Sequence, residues 1–263
     1  MLLVLAAFAG LGRLVIDVST AAPLSAPASS PPTSEYLFGV DAQGRNLIAV
    51  MIQGTYLTVR TGLIAGAIGT LLGAALGFVA AYFGGWTDRI ISWLIDVSLT
   101  VPALLFLVMI SSVVQTGLTS MGMALIIAAL AWRVPARQIR SQMLVMRTSM
   151  FVDVARISGE GPFRIILAEI TPNLLPFLMS AFVAAMADAI LASIGMEAMG
   201  LGPQNEPTLG MTIYWLMTYS AFLSGMWWWI LPPVLILMTL FVGLYFVNVG
   251  LDELSNPRLR RLG

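Results

Sequence analysis

Hydrophobic and polar positions in this chain alternate on the scale of whole membrane spans. Apolar runs cover about residues 1–18, 56–83, 90–114, 118–134, 173–199 and 227–250. Each is near the ~20 residues that a helix needs to cross a bilayer. Residues 19–34, between the first two runs, are rich in Pro, Ser and Ala and read as an extended surface loop. The polar interruption at 151–172 has a different character. It carries helix-forming residues, a Gly-Glu-Gly-Pro break at 159–162, and a second short helical stretch ending at Pro172. A helix–break–helix outside the bilayer is a docking surface for a soluble partner, so the pattern suggests a membrane subunit driven by another protein.

Arginine placement orients the spans. Arg133, Arg137, Arg140, Arg147, Arg156 and Arg164 fall between the fourth and fifth runs, Arg258, Arg260 and Arg261 follow the sixth, and Arg89 lies between the second and third. The opposite side has Arg45, with Arg60 just inside the second run. The expectation is therefore an all-α polytopic protein of about six spans, with residues 135–172 and both termini cytoplasmic and residues 19–55 and 200–226 external. The first run starts at Met1 without a basic flank and contains Arg13 and Asp17. Ala-Pro-Ala at 26–28 makes a cleaved signal peptide the alternative there, but the positive leading segment of such peptides is missing. A truncated or late-starting first span is the expectation.

Composition agrees and excludes. The chain is 59% hydrophobic and 10% charged, with mean hydropathy +0.91, which fits a bilayer environment. Zero formal net charge argues against nucleic acid as a partner. Cys and His are absent, and all thirteen cationic residues are Arg. That removes thiolate and imidazole catalysis, Cys/His metal sites, Schiff-base lysines and the lysine-bearing phosphate loop. No catalytic or metal-binding residue is expected, and any ATP must be bound by another chain.

Several intramembrane features carry candidate chemistry. Gly69, Gly73 and Gly77, preceded by Gly62 and Gly66 and followed by Ala81, form a small-residue row for close helix packing, within this subunit or against a partner. Pro102 marks a kink. Trp215 and the tryptophans at 227–229 read as interfacial anchors. Asp17, Asp96, Asp188 and Glu197 lie in or near spans, where charge is costly and usually faces a cavity or a partner.

Five motifs, in order and on the expected sides, resemble the permease subunit of an ATP-binding-cassette importer of the dipeptide/oligopeptide type, over about residues 38–260. The cytoplasmic element Asp153-Val154-Ala155, with Gly159 in register and Ile170 and Pro172 closing it, is similar to the family's Glu-Ala-Ala motif. Val154 replaces an Ala and Thr171 a Leu. Residues 38–45 (F-G-V-D-A-Q-G-R) resemble an external F-G-T-D-x-x-G-R element, and residues 82–88 (Y-F-G-G-W-T-D) its Y-F-G-G-W-x-D turn. Residues 189–192 (A-I-L-A) followed by 200–202 (G-L-G), and the tail 256–260 (N-P-R-L-R), complete the set.

The resemblance implies a type I importer permease fold. Its parts would be a first helix with external loop (1–55), a permease core (56–255) holding the coupling loop 135–172, and a cytoplasmic tail (256–263). It implies a homologous permease, two ATPase subunits or domains that bind ATP and Mg, and an extracellular or periplasmic substrate-binding protein as partners, with no cofactor on this chain. The ATPase-coupling residues would be Phe151, Asp153, Val154, Ala155, Ile157, Gly159, Ile170 and Pro172. Phe151, Val154 and Ile157 would supply an apolar docking face and Asp153 and Glu160 its charges, with Gly159 permitting the turn and Pro162 starting the next helix. Asp41, Gly44 and Arg45 read as a structural turn and Asp96 as structural. Asp188, Ser193 and Glu197 are candidates for the translocation path, because the family's Glu at the Ser193 position is replaced and Glu197 lies one turn later on the same face. The competing readings are an intramembrane aspartyl protease using Asp96 and Asp188 and an ion-coupled secondary transporter. Whether the solute is a dipeptide, an oligopeptide, a nickel chelate or an oligosaccharide stays open.

Overall fold

The computed structural model describes residues 1–113 and 118–255, and the tail motif at 256–260, with Arg258, Arg260 and the following Arg261, lies outside the described residues. Helices dominate: α1 (Leu2–Val15), α2 (Leu47–Phe83), α3 (Gly85–Thr100), α4 (Ala103–Val113), α5 (Ser120–Ala131), α6 (Arg133–Met146), α7 (Met150–Ile157), the single turn α8 (Pro162–Arg164), α9 (Thr171–Ala198), α10 (Leu209–Thr218) and α11 (Trp227–Ser255). The π-helical segment Ile165–Ile170 joins α8 to α9, so Pro162–Ala198 is one continuous rod. Among the described residues the one extended pairing is the bridge between Val40 and Asn46.

Three helices are long and apolar enough to cross a membrane: Leu47–Phe83, Pro162–Ala198 and Trp227–Glu253. The pair α3–α4 adds a fourth if counted as one span, and Leu2–Val15 and Ser120–Ala131 are shorter apolar helices. These match the six apolar runs with shifted edges. The second run begins at Leu47, not 56, because the Asn46 side chain accepts a hydrogen bond from Ile48 N at 3.2 Å and caps the helix there. A division at 55/56 therefore falls inside α2. The third run is broken at Val101–Pro102 and bent by 79°. Proline lacks the N–H and forces Val101 into an extended conformation.

Pro172, expected to end a helix, lies inside one. The Pro162–Ala198 rod passes it by widening to π geometry just before it, and Thr171 Oγ1 donates to the Ile166 carbonyl at 2.8 Å.

Helix α2 is the central post. Gly69 meets Ala131, Gly73 meets Ala136 and Pro135, and Gly77 meets Arg140 N, so the glycine row seats α5 and α6 within this subunit. Gly62 and Gly66, on another face, seat α9 at Ile190 and Met186. At ~1.5 Å per residue, α2 and the Pro162–Ala198 rod are each about 55 Å long, against a hydrocarbon core of ~30 Å. Running antiparallel, they project beyond it and carry a structured cap at each end.

Candidate functional site: the α7 knob and the α6–α9 groove

One cap is built around α7. Its buried face, Val152 and Ala155, packs into a cluster with Phe78 and Ala81 of α2, Ile139 and Met143 of α6, and Ile165, Ile166 and Ile170 of the rod. Gly159, at φ +81, terminates the helix: its N–H donates to Arg156 O at 3.0 Å and Glu160 N donates to Ala155 O at 3.1 Å. That is a Schellman closure, which favours glycine at this position. Pro162 follows at the start of the next helix.

Of the expected apolar docking face, Val154 and Ile157 are exposed and Phe151 turns inward. Phe151 is half-buried against the cluster, Ala155 is buried, and Ile170 is fully enclosed. The free face is Met150, Asp153, Val154 and Ile157, with Ile157 87% exposed and Met150 83%. Asp153 is held by Arg156 at 3.1 Å, and Glu160 faces Arg164 at 3.4 Å. An eight-residue helix has two faces here because the 3.6-residue period puts Val152 and Ala155 together and Val154 and Ile157 opposite. Met150 carried the same period and was missed.

Arginines of the α6 region fasten the neighbouring helices. Arg140 forks onto Asp88 at 2.5 and 2.7 Å, Arg137 pairs with Asp96, and Arg147 donates to Ala81 O at 2.7 Å. Asp96 thus has the structural partner expected of it. Arg133 is buried and donates to Leu130 O at 2.9 Å, Ser98 O at 2.6 Å and Val101 O at 3.3 Å. The latter two carbonyls lie at the α3–α4 break, so Arg133 neutralises the negative end of α3.

Between α6 and α9 runs a groove of two adjoining cavities that share Gln138, Ala181 and Ala184. The upper one, about 260 Å³, contains Asp188 on an alanine-rich wall. The lower one, about 490 Å³, is lined by Arg137, Ser141, Gln142, Ser180, Asn248 and Asp252, and Ser180 Oγ lies 2.5 Å from Asn248 Oδ1 and 2.7 Å from Asp252 Oδ1. Asp188 therefore faces a cavity. Gln138, Ser180, Asn248 and Asp252 were not anticipated. The one-turn spacing of Asn248 and Asp252 across the end of the last apolar run was the available signal.

Ser193 and Glu197 do not line this groove. Both are fully buried. The Glu197 carboxyl group accepts from Ser193 Oγ at 2.7 Å and from Thr208 Oγ1 at 2.6 Å, and Thr208 Oγ1 in turn accepts from Met211 N at 3.1 Å at the start of α10. It braces α9 against α10. Gly210 and Gly202 permit that approach, since a Cβ at Gly210 would stand 2.3 Å from Glu197 Oε2 and one at Gly202 2.5 Å from its Cγ. Glu197 thus faces a neighbouring element, the start of α10, and not the groove.

The other cap holds the 38–45 element as a tight turn. Asp41 Oδ1 accepts from Gln43 N at 2.8 Å and Arg45 N at 2.9 Å, and Gly44 adopts φ +75 against Ala26 O. Burial pushes the Asp41 carboxyl above the ordinary carboxylate range, partly offset by the backbone of Arg45. Arg45 stacks 3.6 Å from the Trp215 ring. Trp215 and Trp229 are buried in this cap, not interfacial anchors, because the turn and α10 cover them, whereas Trp227 stays exposed.

Asp96 sits with Arg137 while Asp188 faces the α6–α9 cavity, so the two do not form the shared-proton pair that a protease needs. Among the described residues no three potential metal ligands converge.

Comparisons with known proteins agree with this architecture. The chain is 28% identical over 232 residues to the oligopeptide transport system permease protein OppC of Mycobacterium tuberculosis, covering 88% of this chain and 79% of that one. It is 30% identical over 236 residues to a putative peptide transport system permease protein of Brucella abortus, covering 89% and 77%. An inward-facing structure of the MetNI methionine ABC transporter superposes with a TM-score of 0.62 at 17% identity, covering 78% of this chain and 94% of that one, so the fold is that of a type I importer permease. The model of the binding-protein-dependent transport system inner membrane component matches residues 43–261. A multi-pass bundle with a knob at one end and a polar groove thus has its place: the chain belongs to the family of inner-membrane permease components of binding-protein-dependent ABC importers.

Proposed function

We propose that this permease forms one half of a peptide-conducting path, with the α6–α9 groove as its wall and α7 as the lever on which a separate ATPase acts. In this reading both termini and residues 135–172 are cytoplasmic. A homologous permease supplies the other half, two ATPase subunits bind ATP and Mg, and a binding protein delivers solute at the Asp41–Arg45 end. The observation that carries the reading is the division of α7. One face is locked into a cluster drawn from α2, α6 and the Pro162–Ala198 rod, and the other presents Met150, Val154 and Ile157 bare beside Asp153. A displacement of α7 would therefore move three helices together, two of which bound the groove. Peptide as the solute is supported by the relatives' names and by a groove whose polar groups suit amides.

Coupling variants test it. Asp153→Arg reverses a charge on the free face, and Ile157→Arg places one at its most exposed apolar position. Each variant should assemble yet lose peptide uptake by tenfold or more, with ATP hydrolysis uncoupled from solute. Normal uptake by both would remove α7 as the lever.

A further inference from the structure

Among the described residues, Asp188 is placed unlike the other acids of the packed bundle and its turns. Glu197, on the same helix, is enclosed and accepts from two hydroxyls, Asp88 and Asp96 each face an arginine, and Asp41 closes its own turn. Asp188 is exposed, makes no hydrogen bond or ion pair among the described residues, and stands in the upper cavity among Ala181, Ala184, Ala185, Ala189 and Ala192. The cation nearest in the lining, Arg133, is itself buried and turned to the carbonyls at the α3–α4 break. The negative end of α3 already offsets its charge. The charge left facing the cavity is a carboxylate, on a wall of the smallest side chains, with a polar exit below.

A carboxylate within a span persists where water or a cation reaches it. The alanines keep space in front of it, and space beside an unpaired anion suits a visiting cation. We infer that Asp188 is a cation-recognising station of the groove, taking the ammonium or guanidinium of a passing solute: the free α-ammonium of a peptide or a basic side chain. This rests on the groove being the path.

Because the chain has no cysteine, Ala192→Cys places a single thiol one helical turn from Asp188. In the assembled complex this thiol should react with a cationic methanethiosulfonate at least tenfold faster than with an anionic one of similar size. Asp188→Asn should abolish that preference and Asp188→Glu keep it. Equal rates with and without Asp188, or a thiol that neither reagent reaches, would overturn the inference. Uptake in proteoliposomes then identifies the source. If the α-ammonium is read, Asp188→Asn should lower uptake of trialanine about tenfold and leave N-acetyl-trialanine unchanged. If a basic side chain is read, lysine-containing peptides alone should lose. Equal loss for every solute in an assembled complex would overturn recognition and make Asp188 a contact to the second permease. Reagent preference retained in the Ala192→Cys complex, together with a wild-type complex that carries no peptide, would refute peptide transport and leave the cation station standing.

Discussion

Glu197 offers the sharpest test of how the cap at the α10 end is held. Its carboxyl group is fully buried and accepts from two hydroxyls at 2.6 and 2.7 Å. A buried hydrogen bond contributes about 0.5–1.5 kcal/mol, and leaving a buried donor without its partner costs about 1–3 kcal/mol. Glu197→Ala removes the acceptor for both hydroxyls and opens a void beside Gly202 and Gly210. Glu197→Gln keeps the shape but turns an NH2 toward donors, at about 1–3 kcal/mol. For a chain of this size each kcal/mol moves the thermal midpoint by about 2–4 °C. The Ala variant should therefore melt on the order of 10 °C lower in detergent, and the Gln variant should fall between it and wild type. Both should keep the solute preference of whatever complex survives. The assay is thermal unfolding of the purified complex followed by tryptophan fluorescence, paired with uptake. An unchanged midpoint together with altered solute preference in Glu197→Gln would refute the brace and return this acid to the path.

Two further outcomes follow from packing and orientation. Gly73→Val would place carbon 2.8 Å from Ala136 N and Pro135 Cβ, atoms that cannot rotate away, so α2 and α6 must part; the expected cost is about 1–3 kcal/mol or more, read as reduced assembly and a lower thermal midpoint. Single thiols map orientation: Ser158→Cys in intact cells should resist a membrane-impermeant reagent applied outside, and Gln43→Cys should react.

The fold was largely legible because its local devices are written in single residues. Pro102 announced the kink, Gly159 and Pro162 the end of one helix and the start of the next, and the row Gly69, Gly73, Gly77 a close contact. What escaped depends on elements distant in the chain. Glu197 resembled a path residue until Thr208 and the start of α10, more than ten residues on, closed over it. Trp229 looked like an anchor until the Asp41–Arg45 turn and α10 covered it. The α7 stripe was legible at Val154 and Ile157, which stay outside, but not at Phe151: only tertiary packing decides that Val152 and Ala155 meet Ile139 and Ile170 and draw Phe151 in with them. The groove was half legible. Asp188 stood out as a charge in a span, whereas Ser180 and Asn248 acquire meaning only when α9 and α11 bring them within 2.5 Å.

The division of α7 into a held face and a free face can be examined directly in the assembled transporter. Cysteines at Ile157 and at Ala155 sit two residues apart on opposite sides of the same helix, one 87% and the other 7% exposed. With a short bifunctional thiol reagent and single-cysteine ATPase partners, the thiol of Ile157→Cys should cross-link to the ATPase in a nucleotide-dependent manner, and that of Ala155→Cys should not. Cross-linking from both positions alike, or from neither while the complex is intact, would contradict the assignment of α7 as the ATPase-driven lever.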